Sequence, residues 1–372
     1  MDYGDGQTQS YTFDAMGNRL SRGDSASGTT TSAYNAANML LSTAGAGASV
    51  YSSDADGNTL SGGGRTSTWN SQNRLVSCII GGSTNTYKYG ADGLRRQKTT
   101  GGATTDYAYD GTMMVREGHA SSGSLTPATV TATYFQGASG PCYRRDDTQT
   151  EVDSQGRTVT KARWYVYDGL GSVVGEVDPL GDLTSSPKYD VYGAVRANAG
   201  TASTKQGFVG GLGHVSDPET GLVYMRARYM DPTTGRFISE DPDYNGGNWF
   251  AYADANPVNK VDADGKASIS MYGMGAALIA AIWFIWHFEF SGNSVANGVR
   301  MAYGSLAAFL AYQGANPASP LFNMVRYLLR ASNVAEKSKG YVAAIVGFYV
   351  GYGLALLWMM DRLDHEDSMK IE

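Results

Sequence analysis

The side chains that most often carry chemistry are few in this chain and poorly spaced for it. Its four histidines, His119, His214, His287 and His365, stand apart, and no two lie four residues apart as a helical metal pair would. His214 sits in a Gly-rich stretch and reads as a turn residue rather than a ligand. Cys78 and Cys142 cannot build a zinc site at ligand spacing, and they either pair or are both free. Ser61-Gly62-Gly63-Gly64 has no helix pattern after it, so it is a turn and not a phosphate cradle. No serine occupies a nucleophile elbow. These residues imply neither a metal nor a cofactor. With a net charge of −6 and no run of Lys or Arg, the chain also lacks the basic surface that phosphate binding needs. No nucleic-acid partner is therefore expected.

The elements that would position any site are β. The 372 residues include 48 Gly and 25 Tyr but only 17% charged side chains, a balance that suits short strands and tight turns rather than helices. A unit recurs in which alternate aromatics precede Asp or Asn and then Gly. Examples are Tyr11-Thr12-Phe13-Asp14 with Gly17, Tyr87-Lys88-Tyr89 with Asp92-Gly93, and Tyr165-Val166-Tyr167-Asp168-Gly169. Alternation puts both rings on one face of a strand, and Gly supplies the positive φ of the turn, so each unit is a β-hairpin. One hairpin is marginal alone, so neighbours must stack. Composition shifts near Lys266. Of 35 acids and 29 bases, seven of each lie in 267–372, which leaves 28 and 22 before that point.

The repeat units resemble the YD repeats of RHS proteins. The resemblance sharpens at Leu170-Gly171-Ser172-Val173 and Tyr189-Asp190-Val191-Tyr192-Gly193. It is most specific from Asp217-Pro218-Glu219-Thr220-Gly221-Leu222 through Arg228-Tyr229-Met230-Asp231-Pro232, Gly235-Arg236-Phe237 and Glu240-Asp241-Pro242. It ends at Asn256-Pro257-Val258-Asn259 and Asp262-Ala263-Asp264-Gly265-Lys266, and is similar to the RHS repeat-associated core. The resemblance implies a mainly β chain in three parts. Residues 1–207 would be a YD-repeat hairpin strip, part of a shell, and 208–266 a core that plugs it. Residues 267–372 would be a variable, hydrophobic helical tail. The repeats are too few for a whole shell, so the chain reads as a fragment of something longer, with a strand edge left to be covered.

In relatives that resemble the C subunit of insecticidal toxin complexes, the core cuts its own chain by aspartyl-protease-like chemistry. By position in the motif, Asp241 would be one carboxylate and Asp262 or Asp264 the second, with Arg228 stabilising or orienting the pair. The cut would fall at Gly265 or Lys266, or just after it. Such a pair must hold one carboxyl protonated and one ionised. Ala263 stands where the pattern has Pro, and Lys266 where it has an apolar residue. Asp-Pro is also an ordinary turn starter, and Arg228 could simply pair with an acid inside the plug.

The tail has two stretches without Asp, Glu, Lys or Arg, 267–288 and 340–360, each long enough to span a bilayer as a helix. Trp283 and Trp286 lie near one end of the first, as an aromatic belt would, and Gly347 and Gly351 in the second suit close helix contact. The expected function is that of a secreted or cell-surface polymorphic-toxin-like protein. Its β-repeat part would present a membrane-active tail, with an immunity protein, secretion machinery and the lipid membrane as partners. The alternative is a membrane-anchored YD-repeat surface protein in adhesion or contact.

Overall fold

A computed structural model describes residues 1–119, 125–137, 140–153, 155–200 and 204–270. Met1–Ile269 form one compact unit. Apart from residues 267–270, both apolar runs and the expected helical tail lie outside the described residues. Among the described residues no helix is long and apolar enough to cross a membrane.

The fold is mainly β and antiparallel, as the hairpin units predict. A five-stranded sheet runs from Gln9–Phe13 to Ser49–Val50, and a fourteen-stranded sheet from Ser52–Ser53 to Val195–Gly200. In both, spatial order is chain order, so every strand pairs with its sequence neighbours. A four-stranded sheet, Val215–Asp217 to Arg236–Phe237, belongs to the core segment, and Lys260–Asp262 pairs with Ser268–Ser270, so a strand stands where the helical tail was expected to begin.

The turns explain why Asp and Asn recur. The Oδ1 of Asp14, Asp54, Asp168 and Asp190 accepts the backbone N–H groups two and four residues on. Asn35 and Asn70 do the same. The third residue on, which is Gly or Asn, takes a positive φ and donates its N–H back to the first residue's carbonyl. The side chain thus occupies donors that a tight turn would leave open.

The aromatic just before a turn ties consecutive units together. Tyr34, Tyr89, Tyr109 and Tyr189 donate their hydroxyls to the carbonyls of Arg19, Leu75, Arg95 and Val173 at 2.7–3.1 Å. Each accepting residue lies five positions after the start of an earlier turn. Trp69 donates its indole N–H to Thr59 in the same way at 2.9 Å.

The strip curls around the core segment. Inward Leu75, Cys78, Tyr87, Tyr107, Met114 and Tyr134 pack with Val215, Leu222, Tyr224, Tyr229 and Ile238. Cys78 and Cys142 are both free. The last strand of the strip meets the N-terminal segment. Arg196 pairs with Asp5 at 2.8 Å and lies 3.6 Å over the Tyr3 ring, Arg22 reaches Asp190 at 3.5 Å, and Tyr11 packs edge-on against Tyr192. The edge that an incomplete spiral was expected to leave open is covered by the other end of the same strip.

Arg95 joins strip to core. It is buried, binds Asp217 through both carboxylate oxygens, and is stacked among Tyr87, Tyr107, Tyr224 and Tyr229. Replacing Arg95 by Met should cost about 3–5 kcal/mol, because Asp217 stays buried with only Lys98 to answer it. Urea unfolding of the two proteins measures it. At Gly193, φ is 88° and an added Cβ would lie 2.3 Å from the Phe208 ring. Gly193→Ala should lower the same midpoint by more than about 1 kcal/mol.

Candidate active site in the core

Two turns and one strand bring the site together. Arg228 opens the strand Arg228–Asp231, Asp241 begins an Asp-Pro turn, and Asp262 ends the strand Lys260–Asp262. All three are buried. The Arg228 Nη2 lies 3.4 Å from Oδ2 of Asp241 and 3.4 Å from Oδ2 of Asp262. The two carboxylates are therefore no more than twice that distance apart. Arg228 also donates Nη1 to the Trp249 carbonyl at 2.7 Å and Nε to the Gly265 carbonyl, and its guanidinium stacks 3.6 Å over Phe237. The planar fork is fully engaged, which fixes where both acids can sit.

Asp262 forms a turn like those of the repeats, with one difference: the Gly265 N–H goes to Oδ1 and not to the backbone carbonyl. Its Oδ1 accepts the N–H groups of Asp264 at 3.3 Å, Gly265 at 2.8 Å and Lys266 at 3.0 Å. Gly265 takes φ 79°, and a Cβ there would lie 2.4 Å from the Met225 carbonyl. Asp264 is not part of the pair on Arg228. Its Oδ1 accepts the Lys266 N–H at 3.2 Å and its carbonyl accepts the Ala227 N–H at 3.1 Å. Lys266 reaches Asp243 through Nζ at 3.2 Å, and its carbonyl accepts from Asn245 Nδ2 at 3.2 Å.

Burial sets the protonation. It pushes Asp262 up to about 6 against the pull of Arg228, with Asp264 adding repulsion. Burial also raises Asp241 and Asp264, each opposed by its nearest cation, Arg228 and Lys266. Burial lowers Arg228 itself, and the neighbouring carboxylates counter that. In mild acid Asp262 is the acid that keeps its proton. One protonated and one ionised carboxyl on a shared guanidinium can activate a water and protonate a leaving amide nitrogen.

His214, expected as a turn residue, lies just after the turn at Gly213 and packs into the interior. It is completely buried, with Nε2 3.3 Å from the Ala263 carbonyl and Nδ1 without a partner. Burial and Arg226 hold it down to about 3, so it is neutral. Among the described residues no cluster of His, Cys, Asp or Glu could hold a metal. Sequence reasoning did not pick out Phe237, the Trp249 carbonyl, Asp243 or Asn245. The signal for the last two was their alternation with Asp241.

No family model matches the chain. It is 31% identical over 275 residues to "tRNA nuclease WapA" of Bacillus subtilis (strain 168), covering 70% of this chain and 11% of that protein. It is 35% identical over 136 residues to "Double-stranded DNA deaminase toxin A" of Burkholderia cenocepacia, covering 36% and 9%. The solved structure of TcdB2–TccC3 without its hypervariable C-terminal region gives a TM-score of 0.42 at 18% identity, over 70% of this chain and 17% of that one. The chain thus spans about a tenth of the length of these two relatives. Both are named for acting on nucleic acids, which stands against the expectation of no nucleic-acid partner.

Asp262 also marks the pH response of stability. Unfolded, its carboxyl titrates near 3.8, and folded near 6, so the native state binds the extra proton between those values. Stability should fall as pH rises through that window and level off above it. The difference between wild type and Asp262→Asn should change by about 3 kcal/mol from pH 4 to pH 7. Urea midpoints at each pH measure it.

Proposed function

We propose that residues 1–266 are an RHS-type carrier, a YD-repeat strip of 1–207 wrapped on a core of 208–266. The core cuts its own chain beside Lys266 and frees residues 267–372 as the effector of a secreted toxin. The reading is carried by Asp241 and Asp262 sharing Arg228 while the Gly265–Lys266 segment hangs on Arg228 and Asp262. In the cut, ionised Asp241 takes a proton from water and the oxygen attacks the carbonyl carbon. Protonated Asp262 then gives a proton to the departing amide nitrogen. Asp264 would only shape the turn.

Relatives named for different activities, on tRNA and on double-stranded DNA, match this chain. This supports a shared carrier rather than a shared reaction. An immunity protein and secretion machinery are the partners such a toxin needs. For residues 267–372 the proposed target is the lipid membrane, because 267–288 and 340–360 are uncharged. A second reading, a surface protein anchored by an uncut tail for adhesion or contact, is favoured by one observation. The Oδ1 of Asp262 accepts the N–H groups two and four residues on, as in a plain repeat turn.

Intact mass tests the reading. The wild-type chain should separate into two fragments beside Lys266 and the Asp241→Asn chain should stay whole. Cutting should slow as pH rises through about 6, where Asp262 loses its proton. A wild-type chain that stays whole from pH 4 to pH 8 would overturn self-cleavage. Dye-loaded phospholipid vesicles test the tail. A cut chain should release the dye, whereas an anchor would bind the vesicles and leave them sealed.

A further inference from the structure

One loop contributes three side chains at alternate positions. Asp241 faces Arg228, and Asp243 and Asn245 both face Lys266. Asp241 Oδ1 accepts the Asp243 N–H at 2.8 Å, and the Tyr244 N–H bonds the Asp241 carbonyl at 3.1 Å, so the loop is a turn with fixed spacing. The Asp243 carboxylate meets Lys266 Nζ at 3.2 and 3.4 Å. Asn245 Nδ2 donates to the Lys266 carbonyl oxygen at 3.2 Å. Neither interaction is needed to close the Asp262 turn, which is completed by Asp262 Oδ1 and the positive φ of Gly265.

We propose that Asp243 and Asn245 are a clamp that selects Lys266 and fixes the cut at its carbonyl, the Lys266–Ala267 bond. This rests on the self-cleavage reading and adds its specificity. Asp243 is a positioning residue: it holds the Lys266 side chain as a charged counterpart in place of an apolar pocket. Asn245 aims a donor at the oxygen that gains charge when water adds, which is where a preorganised donor helps most. The water oxygen bonds to the Lys266 carbonyl carbon as Asp241 takes one of its protons, and the bond to the Ala267 nitrogen breaks as Asp262 gives that nitrogen a proton. The hydroxyl proton of the new Lys266 carboxyl then restores Asp262, and Asp241 passes its proton to the freed amine, which leaves a carboxylate on Lys266 and an ammonium on Ala267. Nothing else is consumed.

The test follows the full-length chain by intact mass at about pH 5, with thermal unfolding of each variant alongside. Asp243→Lys and Lys266→Glu should each slow the cut at least about tenfold, since small displacements of a reacting group are costly. The double variant, which restores opposite charges, should recover most of the rate. Asn245→Asp, which swaps a donor for an acceptor in the same shape, should slow the cut comparably with little change in unfolding temperature. The new C-terminus should be Lys266.

Asp243→Lys and Asn245→Asp chains that cut at the wild-type rate would overturn the clamp and leave self-cleavage standing. So would a double variant that folds but is no faster than either single, or a cut on another bond. A wild-type chain that never cuts would overturn the carrier's self-cleavage and the clamp with it.

Discussion

A guanidinium taken out of water needs its charge answered nearby, and Arg95 meets that requirement by drawing on both layers of the molecule, with Nε alone left without a hydrogen-bond partner. Its charge is answered by Asp217 of the core, its ring contacts come from Tyr87 and Tyr107 of the strip and Tyr224 and Tyr229 of the core, and Lys98 shares the same carboxylate. Its backbone is used as well: the N–H goes to the Tyr224 hydroxyl at 2.9 Å and the carbonyl takes the Tyr109 hydroxyl. A strip of hairpins with polar outer faces buries little by itself. The core makes it a folded unit, and the core is registered by this pair and by Arg65 with Asp231. The position of Arg228 follows, because Tyr229, next to it, is wedged against Arg95 and Tyr89.

The site depends on that registration because its own turn is ordinary. Asp14 and Asp262 make the same bonds to the backbone two and four residues on. At Asp14 burial pulls the carboxyl up, but the bonds from Asn18 and Met16 outweigh it and leave the acid below its usual range. At Asp262 the same kind of bonds are present, yet burial wins and the acid rises to about 6. The difference lies in where the core puts the turn. The Asp14 turn is only half-buried, whereas the Asp262 turn is enclosed with Arg228, Tyr252 and Asp241. An acid–base pair can thus arise from a scaffolding motif by moving it inward.

Much of this was legible in the residues. Alternating aromatics with Asp and Gly implied antiparallel hairpins in chain order, because side-chain period and positive φ are local properties. Arg228, Asp241 and Asp262 were named as one group, and they meet. The choice between Asp262 and Asp264 was not readable, since two acids two residues apart differ only in which way the turn faces them. Arg19, Arg65 and Arg95 each open a strand. That they point inward to Thr233, Asp231 and Asp217 depends on contacts more than a hundred residues away. His214 misled for the same reason, its glycine neighbours being packed in the core.

The meeting of the strip's ends bears on how so few repeats can hold a core. An open strip has two free edges, and each would recruit other strands. Here Tyr3 and Asp5 lie against Val191 and Arg196, and Arg22 against Asp190, so ends nearly two hundred residues apart are side by side. These contacts are made by side chains and not by a backbone ladder, since the two sheets remain separate in strand pairing. Such a seam covers an edge without fusing it. On its outer side the first strand is already occupied, since the Gln9 N–H donates to the Met1 carbonyl at 2.9 Å and the Gln9 carbonyl accepts from the Met1 amino group at 2.6 Å, so the N-terminal segment itself closes part of that edge.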